Sequence, residues 1–293
     1  MSYIQTKPFI KWAGGKSQLL DEIRAKYPDK IERYCEPFVG GGAVLLDVLA
    51  NFKPQSVLIN DINRELINTY MQIQASVEKV VARLLEWQAE YWAKSETERR
   101  VMYGEMRDKY NAGITEKLCS AEMAALFIFL NKTCFNGLYR VNRKGLFNVP
   151  IGSYKKPPIC DADNLRAMSK LLSGVEIRCG DYSKCNTFID SSTFVYIDPP
   201  YRPLTQTASF TSYSDNEFGD KQQIELGEFV SRISQNGAKV VVSNSDPKNA
   251  NPNDSFFDDL YAAFYINRVE AKRMINSKGA NRGTISELLI FNY

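Results

Sequence analysis

Phe194-Val195-Tyr196-Ile197-Asp198-Pro199-Pro200-Tyr201 is an apolar run that stops at a carboxylate and two prolines. β-Branched and aromatic residues favour a strand, and consecutive prolines end one abruptly. The stretch therefore predicts a buried strand whose carboxyl end presents Asp198, two stiff backbone carbonyls and the Tyr201 ring. In open α/β sheets that edge is where ligands bind. Taken alone, an ordinary Pro-Pro turn with Tyr201 capping the core explains the tetrapeptide as well.

Outward from this stretch the chain alternates strands and helices. A helix is expected from Leu19, Leu20 and Ile23, then a short strand ending at Glu36, the loop Gly40-Gly41-Gly42, and an apolar helix through Val44 and Leu49. Ser56–Ile59 is a second strand closed by Asn60-Asp61, completing a β-loop-α-β unit of about 30 residues. From Asn63 to about Lys132 the apolar spacing is helical, with dense charge at 94–109 marking a surface helix. Alternation then returns: helix 161–172, strand 175–179, a helix near 182–189, the strand before Asp198, helix 226–233, strand 238–243 and a last strand 285–291. Residues 245–255 read as a loop. The pattern predicts an α/β, doubly wound sheet in two blocks, 1–61 and 162–293, interrupted by a mostly helical insertion, 62–161.

Composition narrows the chemistry. The 293-residue chain has no histidine, which excludes Ser-His and Cys-His catalysis, histidine bases and histidine metal sites. Its six cysteines form no Cys-x-x-Cys pair, and Met1-Ser2-Tyr3-Ile4-Gln5 lacks the apolar core of a signal peptide, so reduced thiols and a cytoplasmic location are expected. No apolar run of about 18 residues suggests a membrane span. The net charge of +3 is small, but residues 132–158 hold six Lys or Arg and no acid, while the remainder carries 31 basic against 34 acidic residues. That island is interleaved with aromatic and turn residues, a composition suited to a phosphate backbone.

The glycine loop joins a strand to a helix, and Asp61 ends the next strand, where a carboxylate binds ribose hydroxyls. The pair points to a nucleoside and leaves NAD, FAD and S-adenosylmethionine open. Lys11-Trp12-Ala13-Gly14-Gly15-Lys16 lacks phosphate-loop spacing. Within the insertion, Tyr139-Arg140-Val141-Asn142 and Phe147-Asn148-Val149 around Gly145 predict a β-hairpin with a basic tip, carrying Arg140 and Lys144. Such a ribbon fits a DNA major groove, where an arginine fork reads guanine.

The order of motifs resembles the Dam family of DNA adenine-N6 methyltransferases, in the alpha arrangement. The carriers are Lys-Trp-Ala-Gly-Gly-Lys (11–16), Glu-Pro-Phe-Val-Gly-Gly-Gly (36–42), Asn60-Asp61-Ile62-Asn63, Asn136–Asn142, Gly145–Pro150, Gly152–Lys155, Asp198–Tyr201 and Phe210-Thr211-Ser212-Tyr213. The resemblance implies a Rossmann-like methyltransferase sheet with 62–161 as the target recognition domain, S-adenosylmethionine as methyl donor, no metal, and double-stranded DNA as substrate, with GATC as the site. It places Trp12, Lys16, Phe38, Gly40, Asp61, Asp181 and Asp198 at the cofactor. Leu138, Arg140 and Pro150 fall on base-contacting positions, Phe135 where an aromatic fills the vacated stack, and Tyr154 on a DNA contact, with Asn142 completing the DNA-facing set. Ser153 departs from the arginine that many relatives carry before the tyrosine. A monomer is expected, with a cognate restriction endonuclease as a partner in function rather than in a stable complex.

The chemistry assigns catalysis to Asp198, Pro199 and Tyr201. The adenine amino group is conjugated and a poor nucleophile. Asp198 and the Pro199 carbonyl can each accept one N6–H, drawing the nitrogen toward sp³ while Tyr201 stacks on the base. A protein-glutamine methyltransferase would carry Asn at 198 and lack the 11–16 motif. A DNA-binding protein without catalysis would not need the intact tetrapeptide, and an oxidoreductase would need a nicotinamide site that the residues do not supply.

Overall fold

The computed structural model describes residues 6–202, 218–272 and 284–293, so the motif Phe210-Thr211-Ser212-Tyr213 lies outside the described residues. The described strands are β1 (Arg33–Glu36), β2 (Ser56–Asp61), β3 (Glu176–Cys179), β4 (Thr193–Ile197), β5 (Lys239–Ser245), β6 (Tyr265–Lys272) and β7 (Thr284–Phe291). They form one mixed sheet in the order β3-β2-β1-β4-β5-β7-β6, consistent with a Rossmann-like methyltransferase fold. The chain forms two compact units: Met1–Gly15, Gly40–Ala50 and Asp61–Gly180 in the first, Lys16–Val39, Asn51–Asn60 and Asp181–Tyr293 in the second.

In the second unit β1 pairs in parallel with β4, Cys35 lying opposite Val195, and β4 pairs in parallel with β5. All five residues of β4 are buried. This explains the continuous apolar run: a strand covered on both faces has no polar side to alternate with. Helix Asp220–Gln235 presents Leu226, Phe229, Val230 and Ile233 to the core that holds Val195, Ile197, Val240, Val242, Leu288 and Ile290. Each such side chain contributes about 1.5–3 kcal/mol on burial. The antiparallel ribbon β7–β6 closes the sheet, and β6 is the strand that apolar patterning overlooks. It alternates Arg268 and Glu270 with smaller apolar groups, as edge strands do to discourage further pairing.

The first unit is dominated by three helices, Arg64–Ala93, Glu96–Thr115 and Ala121–Thr133, as the helical spacing predicts. Their N-caps are Asn63, Ser95 and Ser120, and Ser95 forms a capping box with Glu98. Each cap satisfies an otherwise orphaned backbone N–H. The third helix is buried over the whole of Met123–Asn131. The expected helix near 182–189 shrinks to a 3-10 turn, Tyr182–Cys185. Asn186 and Thr187 beyond it favour backbone alternatives over helix. Among the described residues no helix is long and apolar enough to cross a membrane.

Candidate active site

The strand order reverses between β1 and β4, and Asp198 is the first residue past the carboxyl end of β4. Its side chain is 20% exposed, and the Lys16 ammonium, itself only 5% exposed, lies 2.7 Å from its Oδ1. The same ammonium sits 4.7 Å over the Tyr201 ring. Tyr201 donates its hydroxyl to Glu287 Oε2 at 2.5 Å. Gln223 Nε2 donates to the Pro200 carbonyl at 3.0 Å, and Gln223 Oε1 accepts from Asn244 Nδ2 at 3.1 Å. Both amides are buried, so each hydrogen bond also removes a desolvation penalty. Arg202 closes the segment with ion pairs to Asp220 (2.6 Å) and Asp254 (2.7 Å). The tetrapeptide is thus tied down at Asp198, Pro200 and Tyr201, and at the residue that follows. Burial raises the Asp198 carboxyl above the usual aspartate range; Lys16 pulls it down and the Glu287 charge pushes it further up.

In the first unit Asp61 braces the glycine loop. Its Oδ2 accepts from Gly40 N at 3.0 Å and its Oδ1 from Asn63 N at 2.9 Å. The Ile62 backbone also bonds the carboxylate, and of its roughly four lone-pair sites one remains for a hydroxyl donor. Burial raises its pKa, and these backbone bonds oppose the rise. Gly40 has φ +46°, and a Cβ there would lie 2.9 Å from Trp12 Cδ1. Trp12 in turn stacks on Tyr139 at 5.5 Å. The loop glycines therefore serve close packing against the protein's own rings as well as any approach to a ligand. In the second unit Phe38 packs against Tyr182 at 5.5 Å and edge-on to Phe218 at 5.8 Å. Asp181 is exposed and caps the following turn through Ser183 N at 2.9 Å.

The basic segment of the first unit is irregular. Its only bridges among the described residues are Val141↔Phe147 and Cys134↔Ile151, so the expected hairpin is a turn with single antiparallel bridges rather than paired strands. Asn142 Oδ1 accepts from Lys144 N (2.9 Å) and Leu146 N (3.2 Å), spending its acceptor on the turn. Arg140 is exposed, with Nε held by Asn148 Oδ1 at 2.8 Å. Leu138 is half-buried, whereas Phe135 and Pro150 are exposed, Phe135 N donating to the Pro150 carbonyl at 2.8 Å. Tyr154 lies 5.9 Å beneath Lys11 Nζ. Helix side chains hold this segment: Asn111 bonds both N and O of Phe147, and Tyr103 donates to the Val149 carbonyl at 2.7 Å. Asn131 joins the Lys11 backbone to the Gly137 carbonyl, each bond 2.9 Å long. Lys132 is not an ordinary surface cation, since burial, together with Lys7 and Lys11, lowers its pKa to about 8.

Comparison with known proteins gives this arrangement a family. Residues 12–275 match the model of the D12 class N6 adenine-specific DNA methyltransferases. The chain belongs to that family. It is 45% identical to the type II methyltransferase M.MjaIII of Methanocaldococcus jannaschii, covering 99% of this chain and 100% of that protein. It is 36% identical to the type II methyltransferase M1.LlaDCHI of Lactococcus lactis subsp. cremoris, over 99% and 96%. It is 34% identical to the DNA adenine methylase of Haemophilus influenzae, over 98% and 93%. Membership of this adenine-specific class implies S-adenosylmethionine as donor and DNA as substrate.

Within this D12-class chain, Lys16 and Tyr201 meet Asp198 in the second unit, while Trp12, Gly40 and Asp61 share the first. Glu287, Gln223 and Asn244 escaped sequence reading. Glu287 had one available signal, as a carboxylate inside the otherwise largely apolar run Ile285–Phe291. Gln223 and Asn244 carry no local signal, because their partners are 23 and 21 residues away. Among the described residues no group of three or more metal-binding side chains occurs.

Proposed function

We propose that this methyltransferase transfers a methyl group from S-adenosylmethionine to N6 of an adenine turned out of double-stranded DNA, within GATC. The observation that carries the reading is an acceptor carboxylate at the end of a buried parallel strand, in a segment anchored before any substrate arrives. When bound, S-adenosylmethionine supplies an electrophilic methyl on a sulfonium. Asp61 of the first unit suits a ribose hydroxyl, and Trp12 of that unit and Phe38 of the second each fall on donor-binding positions by the family resemblance. Lys16 belongs to this set through Asp198, whose Oδ1 it neutralises.

Asp198 Oδ2 and the Pro199 carbonyl each accept one N6–H, so the nitrogen lone pair turns out of conjugation toward the methyl. The same acceptors stabilise the cationic amine as it forms, at no reorganisation cost because they are fixed in advance. Tyr201, its hydroxyl held by Glu287, stacks on the base. Asp198 must be ionised to accept, so its raised pKa has a kinetic consequence. As pH falls, kcat/KM is expected to decline at a pH above that of an ordinary aspartate; an acid limb at or below about 3.9 would contradict this.

Residues 62–161 serve as the DNA recognition insertion. Arg140, steadied by Asn148, reads a guanine edge; Leu138 and Pro150 contact bases, Phe135 enters the vacated stack, and Tyr154 contacts the strand. Asn142 acts by shaping the turn that carries Arg140 and Lys144. Extruding the base costs a few kcal/mol, which these contacts offset. The type II names of two relatives suit a restriction endonuclease sharing the site. The deciding experiment incubates plasmid with enzyme and S-adenosylmethionine and maps methylated adenines. Methylation confined to GATC is expected; methylation elsewhere removes the site assignment, and no methyladenine removes the activity. In the same assay Arg140→Ala should relax one position of the site, at about 1–3 kcal/mol of discrimination.

A further inference from the structure

Lys16 and Asp198 form an intimate ion pair at 2.7 Å. Together they are neutral, and a neutral pair offers little attraction to a cationic methyl donor or to a nitrogen gaining positive charge. A second carboxylate corrects this. Glu287 stands at the hydroxyl end of the ring whose face Lys16 covers, bonded to Tyr201 at 2.5 Å with Lys16 Nζ 4.7 Å from the ring centroid. The Glu287 charge acts on Asp198 and opposes the pull of Lys16. These three side chains, two carboxylates and one ammonium around a single phenol, sum to one negative charge.

We propose that Glu287 is a positioning residue with an electrostatic role. It locks Tyr201 and supplies the net negative charge by which this edge prefers a sulfonium to a neutral thioether. The inference rests on the methyl-transfer reading above. Charge placed in a water-poor site before reaction acts most strongly where positive charge exists or develops. The favoured ligand is therefore the charged donor, and the demethylated product, which carries no sulfonium, gains nothing from Glu287. Donor binding and product release are then biased by the same side chain.

The test is calorimetric titration of the full chain with S-adenosylmethionine and with S-adenosylhomocysteine. Glu287→Gln keeps an acceptor for the Tyr201 hydroxyl and removes only the charge. It should reduce the preference for the sulfonium ligand about tenfold or more, with thioether affinity within about twofold of wild type, as expected for one unit charge removed from a partly buried site. Glu287→Asp keeps the charge and should keep the preference. Tyr201→Phe removes the hydrogen bond and leaves the charge, so it should lower kcat while the preference stands. If Glu287→Gln weakens both ligands equally, or changes neither, the proposal fails and Glu287 is structural or idle. Should that variant lose the folded transition on melting, Glu287→Ala is read by the same criterion. Wild-type plasmid methylation, run in parallel, separates this outcome from failure of the methyl-transfer reading itself.

Discussion

Replacing Asp198 with alanine is expected to abolish methyl transfer while leaving DNA binding measurable. The side chain is paired with the buried ammonium of Lys16 at 2.7 Å, and its neighbours hold the backbone around it through Gln223, Glu287 and the ion pairs of Arg202. Truncation therefore removes the acceptor without releasing the segment. Losing one preorganised hydrogen-bonding group typically costs about 10²–10³ in kcat, and here it also leaves Lys16 without its carboxylate, so a loss beyond about 10³ is expected. Single-turnover methylation and a parallel DNA-binding titration measure the two halves. Near-normal turnover in the variant would remove Asp198 from the mechanism.

Gly42→Ala is expected to be the most damaging single-methyl substitution of the glycine loop. Gly42 has φ +71°, and an added Cβ would collide with the Tyr70 hydroxyl. Tyr70 cannot retreat: it is 0% exposed, packs edge-on to Phe9 at 5.1 Å and donates to the Gly40 carbonyl at 3.0 Å. Left-handed backbone costs about 1–2 kcal/mol for an L side chain, and overpacking a buried site about 1–3 kcal/mol more. A loss of about 2–5 kcal/mol should appear in urea unfolding. Gly145→Ala is the control, since Gly145 has φ +74° but open space around its Cβ position. It should show the backbone cost alone. Equal losses in the two variants would mean that contact with Tyr70 carries no weight.

Much of the fold was legible because its signals are local. Strand β4 announces itself by four apolar residues and a double proline, and the helices of residues 64–133 by their apolar spacing. Strand β6 was not legible, since an edge strand's alternating charges resemble those of a loop. The expected hairpin was overdrawn for a related reason. Alternation around Gly145 is real, but the ladder stops at the single bridge Val141↔Phe147, because the Asn148 carbonyl that would continue it accepts from the Arg140 guanidinium at 3.1 Å.

The sequence by itself determined the chemical inventory: no histidine, a carboxylate before two prolines, glycines ahead of a helix, and a basic stretch without acids. Those are properties of residue type and short spacing, and they survive without coordinates. Only the tertiary structure decided what charge the Asp198 edge carries. Lys16, Asp198 and Glu287 are spread across almost the entire chain, and their attraction and repulsion depend on separations of a few ångströms that no local pattern encodes.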